Sequence, residues 1–187
     1  TFNGDISKWD VSNVVTLEGT FYNAYEFNAD LSSWKIGSVT SLTHTFYNAK
    51  KFNRDLSAWN TSSVINMFRS FRSAEVFDQE LSTWDVSKVT LMQETFAYAK
   101  KFTSNLSTWD VSKVTSFKMM FIGATLFNSD LSNWVVVSAT TIQQMFKEAI
   151  QFNSDLSKWS VSNVNRRDDI INVFKLASKF DGSTLFC

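Results

Sequence analysis

Few side chains in this sequence have the type and spacing to do chemistry. Asp5, Asp30, Asp55, Asp130 and Asp155 recur in one register, and seven tryptophans run from Trp9 to Trp159. His44 is the only histidine and Cys187 the only cysteine, and one charged run, Arg166-Arg167-Asp168-Asp169, stands near the end. A column of carboxylates suggests calcium, but that ion draws about six to eight oxygens to a single point. Carboxylates strung along an edge and interrupted by Asn105 predict local Asx bonds to backbone amides instead. A line of tryptophans could form a platform for sugar rings, yet Trp in phase with inward Val and Leu predicts core. A Ser-His-Asp set could be built only around His44, whose counterparts in neighbouring repeats are Gly19, Arg69 and Glu94. A lone thiol makes no internal disulfide, and a zinc site needs several ligands. The sequence therefore offers no catalytic residue, no cofactor-binding residue and no metal ligand set, and the expectation is a protein that is not an enzyme.

The elements that would position these residues follow from one repeat. Trp9, Trp34, Trp59, Trp84, Trp109, Trp134 and Trp159 stand 25 residues apart without a slip, and a fixed period of this size signals a solenoid. Each unit reads F-N-x-D-L-S-x-W-x-V-S-x-V-T, followed by a second Phe and an Ala. Around Trp34 and Ile36 the apolar residues alternate with Ser33 and Lys35, which predicts a short strand. From Val39 they step to Leu42, Phe46, Ala49 and Phe52, at spacings that predict one face of a short helix. Thr90 with Gln93 and Thr140 with Gln143 fit capping boxes at its start. Lys50, Lys51, Lys100 and Lys101 would complement its C-terminal dipole, and Asn28, Asn53, Asn128 and Asn153 would end it. One such unit cannot bury its own apolar face, so units must stack. The prediction is an α/β solenoid, one short strand and one short helix per repeat, with a single parallel sheet. It forms one repeat domain over 1–187, about seven coils with an irregular last coil at 165–187.

Lys plus Arg balance Asp plus Glu at 18 each, for a formal net charge of zero. Such a chain offers no long-range field for nucleic acid or an anionic bilayer. No apolar run reaches the ~18 residues of a membrane span. Thr1-Phe2-Asn3 enters the repeat part-way, as a processed or incomplete chain would.

Leu31-x-x-Trp34-x-Ile36 keeps the L-x-x-L-x-L spacing of leucine-rich repeats. The fuller pattern, from Phe102 through Leu106, Trp109, Val111 and Val114 to Met120, Phe121 and Ala124, resembles something narrower. It is similar to the 25-residue repeats of BspA-like leucine-rich-repeat surface proteins of bacteria, mycoplasmas and some protists and algae. That resemblance implies a leucine-rich-repeat-like solenoid with an extracellular or cell-surface location, and in some members adhesion. It carries over no catalytic residues. Val137, Ala139, Glu80 and Asn105 depart from the family's usual Ser, Val, Asp and Asp.

The expected function is a non-enzymatic scaffold that binds a protein partner or a neighbouring subunit through its sheet face or an end. The alternative is a carbohydrate-binding adhesion module. Lys35, Asp85, Asp110, Val135 and Val137 are the expected contact residues on the outward face. Arg166 and Arg167 form either a salt-bridged loop with Asp168 and Asp169 or a second docking point.

Overall fold

Each unit must bury three large rings, and that demand organises the coil. The computed structural model describes residues 2–164, 170 and 172–182. Phe46 stacks on Phe52 of its own coil at 4.1 Å and meets Trp59 at 6.0 Å with a tilt. The same sandwich recurs from Phe21–Phe27 at 3.9 Å to Phe174–Phe180 at 3.9 Å. Neighbouring coils then stack like on like, as in Phe96–Phe121 at 5.8 Å and Phe102–Phe127 at 5.9 Å. Interior rings are fully buried, and each contributes roughly 1.5–3 kcal/mol of transfer free energy. Six of the seven tryptophans are 2–3% exposed, while Trp9, in the first coil, is 60% exposed. The tryptophan column is core.

The backbone around this core departs from the expected α/β solenoid with a parallel sheet. Among the described residues only Ile170 is helical, and there is no sheet. Extended pairing is confined to single-residue parallel bridges such as Ser41↔Asn66 and Leu91↔Ser116. Where a helix was expected, alternate amides point in two directions. Thr45 N donates to Leu42 O (3.1 Å), Tyr47 N to His44 O (3.2 Å) and Ala49 N to Phe46 O (3.0 Å), closing four-residue turns. Between them Leu42, His44, Phe46 and Asn48 donate to Asn66, Phe68, Ser70 and Arg72 of the next coil at 2.7–2.9 Å. A helix would have sent every amide to the residue four back. His44 and Asn48, the third residues of two of these turns, sit at φ 54° and 57°, the signature of type II turns. Every complete coil repeats this left-handed pair, and two such residues per coil interrupt helix and strand alike.

The expected strand also resolves into turns. Trp34 and Ile36 are buried and Lys35 is exposed, as the alternation predicts. Their backbones nevertheless close locally, through Trp34 N to Leu31 O (3.0 Å) and Val39 N to Ile36 O (2.8 Å). Coils are joined here by side chains. Trp84, Trp109 and Trp134 each donate Nε1–H to a buried carbonyl of the coil before, Leu56, Leu81 and Leu106, at 2.9–3.0 Å.

The helix-terminus devices fall with the helix. Thr140 Oγ1 donates to Thr115 O (3.0 Å) and Thr90 Oγ1 to Ile65 O (3.3 Å), ties between coils rather than caps. Lys50 and Lys100 flank Glu75 at 3.0 and 2.9 Å. Asn28 Oδ1 accepts from Asn53 N (3.0 Å) and Asn128 Oδ1 from Asn153 N (2.8 Å), so this column joins successive coils.

The left-handed positions allow a direct test. Gly19 (φ +63°) has open space where a Cβ would be, whereas a Cβ on Gly123 (φ +66°) would lie 2.5 Å from Tyr98 Cδ1. Gly19→Ala should cost about 1 kcal/mol from backbone strain alone. Gly123→Ala should cost about 1–3 kcal/mol more, because the Tyr98 ring must move. Thermal melts of the two variants compare them; equal losses would remove the steric part.

Candidate interaction surface

The outward residues beside the tryptophan column form the face expected to bind a partner. Its Asp side chains are fixed by their own turns. Asp85 Oδ1 accepts from Ser87 N and Asp110 Oδ1 from Ser112 N, both at 3.0 Å. Hydrogen bonds from the Ser side chain, and then the Ser backbone amide, hold both carboxyls below the ordinary carboxylate range. The first carboxylate column makes the same bonds. Asp5, Asp30, Asp55, Asp130 and Asp155 accept from Ser7, Ser32, Ser57, Ser132 and Ser157 at 2.8–2.9 Å. Each carboxylate therefore serves its own turn, the local arrangement expected of a repeated Asx residue. Among the described residues no three His, Cys, Asp or Glu side chains are grouped to hold a metal ion.

Val135 and Val137 replace this device in the sixth unit. They are 55% and 45% exposed and border a depression of about 220 Å³ shared with Asn133, Lys158 and Ser160. The structure thus places Lys35, Asp85, Asp110, Val135 and Val137 on one repeating face and brings an apolar spot into an otherwise polar one. Arg166, Arg167 and Cys187 lie outside the described residues.

His44 stands elsewhere, on the turn stretch, with the rings of Tyr22, Tyr47 and Phe68 5.1–5.9 Å away in edge contacts. Burial and then the Arg69 charge push its pKa down, so it is a neutral packing residue near neutral pH. Sequence reasoning missed the cluster beside it. Glu94 is nearly buried and is bound by Arg69 Nη2 at 2.8 Å and by Arg72 Nη1. Burial pushes the Glu94 carboxyl up, but the hydrogen bond from Arg69 and the charges of Arg72 and Arg69 outweigh it and hold it low. Arg72 lies between the Tyr47 and Tyr98 rings, 5.8 and 5.1 Å from their centroids. The signal was present, since Arg69 and Glu94 are one repeat apart and must be neighbours once coils stack.

A third feature stiffens the second half of the face. Ser104, Ser129 and Ser154 are buried, and each hydroxyl accepts the amide of a buried leucine in the coil before, Leu81, Leu106 and Leu131, at 2.8 Å. Ser129→Ala leaves the Leu106 amide without this partner and should cost about 1–3 kcal/mol. Urea titration of that variant checks it, and a loss below about 0.5 kcal/mol would mean that the amide finds another acceptor.

The family model described as "Mycoplasma protein of unknown function, DUF285" matches residues 1–84 and again residues 65–185. No curated protein and no solved structure matches the chain. Among the described residues no helix is long and apolar enough to cross a membrane.

Proposed function

The chain belongs to the DUF285 family, and on that premise we propose that it is a non-enzymatic repeat scaffold that holds a protein partner or a neighbouring subunit. The observation that carries this reading is the Val135–Val137 spot. It is an exposed apolar interruption, beside Lys158, in a face whose other units carry polar residues there, Gly37 excepted. Apolar centres rimmed by polar residues are how protein contacts are built. The surrounding side chains are held by turns and by the coil above or below, so the face is preorganised and loses little freedom on binding. The resemblance to BspA-like surface proteins supports a location at a cell surface or within a larger assembly.

The adhesion alternative loses its best support in the tryptophan column, which is buried from Trp34 to Trp159 and presents no aromatic platform. Crosslinking with mass spectrometry on material from the native source separates the two. Reproducible links from Lys35 or Lys158 to one foreign protein support the scaffold. Co-purifying glycans without a captured protein would replace it with the carbohydrate-binding module.

A further inference from the structure

The zero net charge is a sum of two opposed faces. The turn stretch of the units, residues 17–26, 42–51, 67–76, 92–101, 117–126, 142–151 and 172–179, carries ten Lys or Arg against five Asp or Glu. The other described residues carry six against eleven. The stacked coils therefore have a turn side at a formal +5 and an Asx side at −5. The aromatic core separates the two: the Phe46 ring from the turn stretch lies on Phe52 and against Trp59. Outward side chains of the two stretches consequently point away from each other.

On the turn side, Lys50 and Lys100 are partly neutralised by Glu75, and Arg69 and Arg72 by Glu94. Lys51, Lys101, Lys175 and Lys179 are exposed on the same stretch. On the Asx side the carboxylates recur coil after coil, and serine hydrogen bonds hold those of Asp30, Asp85, Asp110 and Asp130 below the ordinary carboxylate range.

We propose that copies of this chain associate side by side, the basic turn face of one against the acidic Asx face of the next. The second copy is the occupant because it carries the opposite charge in equal amount on a surface with the same coil-to-coil spacing. The two faces differ, so the contact is heterologous and leaves one face of each kind free for a further copy. Both faces are exposed to solvent, so the attraction is strongest where salt screens least. The proposal deepens the neighbouring-subunit form of the scaffold reading, and the two fail separately, since crosslinks to a foreign protein test one and self-association tests the other.

Sedimentation equilibrium decides it. The full chain should self-associate at about 0.01 M salt, where the screening length is about 30 Å, and dissociate near 1 M, where it is about 3 Å. The association constant should fall about tenfold or more between them. Two charge-reversal variants with the same net charge separate face complementarity from simple repulsion. Lys51→Glu, Lys101→Glu, Lys175→Glu and Lys179→Glu together should abolish association. Lys8→Glu, Arg54→Glu, Lys88→Glu and Lys113→Glu together leave the turn face basic and should keep it. Equal behaviour of the two variants, or a wild-type chain that stays monomeric at low salt, overturns the proposal. Retention on heparin without self-association overturns it too, and assigns the basic face to an external polyanion.

Discussion

Trp109→Ala should lower the free energy of unfolding by about 3–5 kcal/mol. The indole is 3% exposed, packs against Phe96 at 6.1 Å, and donates Nε1–H to the Leu81 carbonyl at 2.9 Å. Truncation removes the ring from beside Phe96 and leaves the buried Leu81 carbonyl without that donor. Trp109→Phe divides the loss, because it keeps most of the apolar volume and removes the donor; about 1–3 kcal/mol should remain. Trp9→Ala is the control, since that ring is largely exposed and its removal should stay within about 0.5 kcal/mol. Urea titrations followed by the fluorescence of the remaining tryptophans compare the three. If Trp109→Ala comes within about 1 kcal/mol of Trp9→Ala, the column is not what holds neighbouring coils together. Because each coil touches only its neighbours, the Trp109→Ala transition should also broaden as the two flanks begin to unfold separately.

Acid should weaken the whole stack at once. Asp10, Asp30, Asp85, Asp110, Asp130 and Asp155 all have folded-state pKa values below the ordinary one, through hydrogen bonds from the serine two residues on. A carboxyl depressed on folding contributes stability that is fully present above its unfolded value of about 3.9. That contribution is lost as pH falls through the lower folded value. Glu75, held down by Lys100 and Lys50, behaves the same way. The melting temperature should therefore hold from pH 7 to about pH 5 and fall from there towards pH 3. Asparagine separates charge from geometry, because Asn60 and Asn105 already accept the Ser62 and Ser107 amides at 3.2 and 3.0 Å. A variant with Asp30, Asp85, Asp110 and Asp130 changed to Asn keeps the acceptors but not their charge, so it should melt below the wild type at pH 7 and lose much less on acidification. Equal acid losses would move the sensitivity to Glu75 and Glu94.

The aromatic columns were legible from the sequence because a fixed period leaves no freedom in which rings stack on which. The backbone was not. Leu42, Phe46, Ala49 and Phe52 face inward in a stack of four-residue turns just as they would on a helix, so spacings of three and four do not separate the two. The discriminating residues were Gly19, Asn23, Asn48 and Gly123, which stand inside the supposed helix where left-handed backbone is needed. Thr45 and Thr95 point the same way, as β-branched residues whose hydroxyls also reach the Leu17 and Met67 carbonyls of the coil before. On the candidate face, Val135 and Val137 could be read directly, because two valines break a polar register. The Arg69–Glu94–Arg72 cluster required the coils to be stacked before its members met. The charge separation required knowing which stretch of each unit lies on which side of the core.

The bonds between coils also decide how the molecule answers force. Amides such as those of Leu42, His44, Phe46 and Asn48 point from one coil to the next, so tension along the rod loads them a coil at a time rather than together. A load applied at the two ends peels off a terminal coil while the rest stays intact. Each released unit of 25 residues can extend to about 85 Å of chain. Rings in adjacent coils stand only 5.8 to 6.1 Å apart down one phenylalanine column. One yielding coil thus lengthens the tether more than tenfold over its folded rise, and the protein dissipates a pull in equal, countable steps.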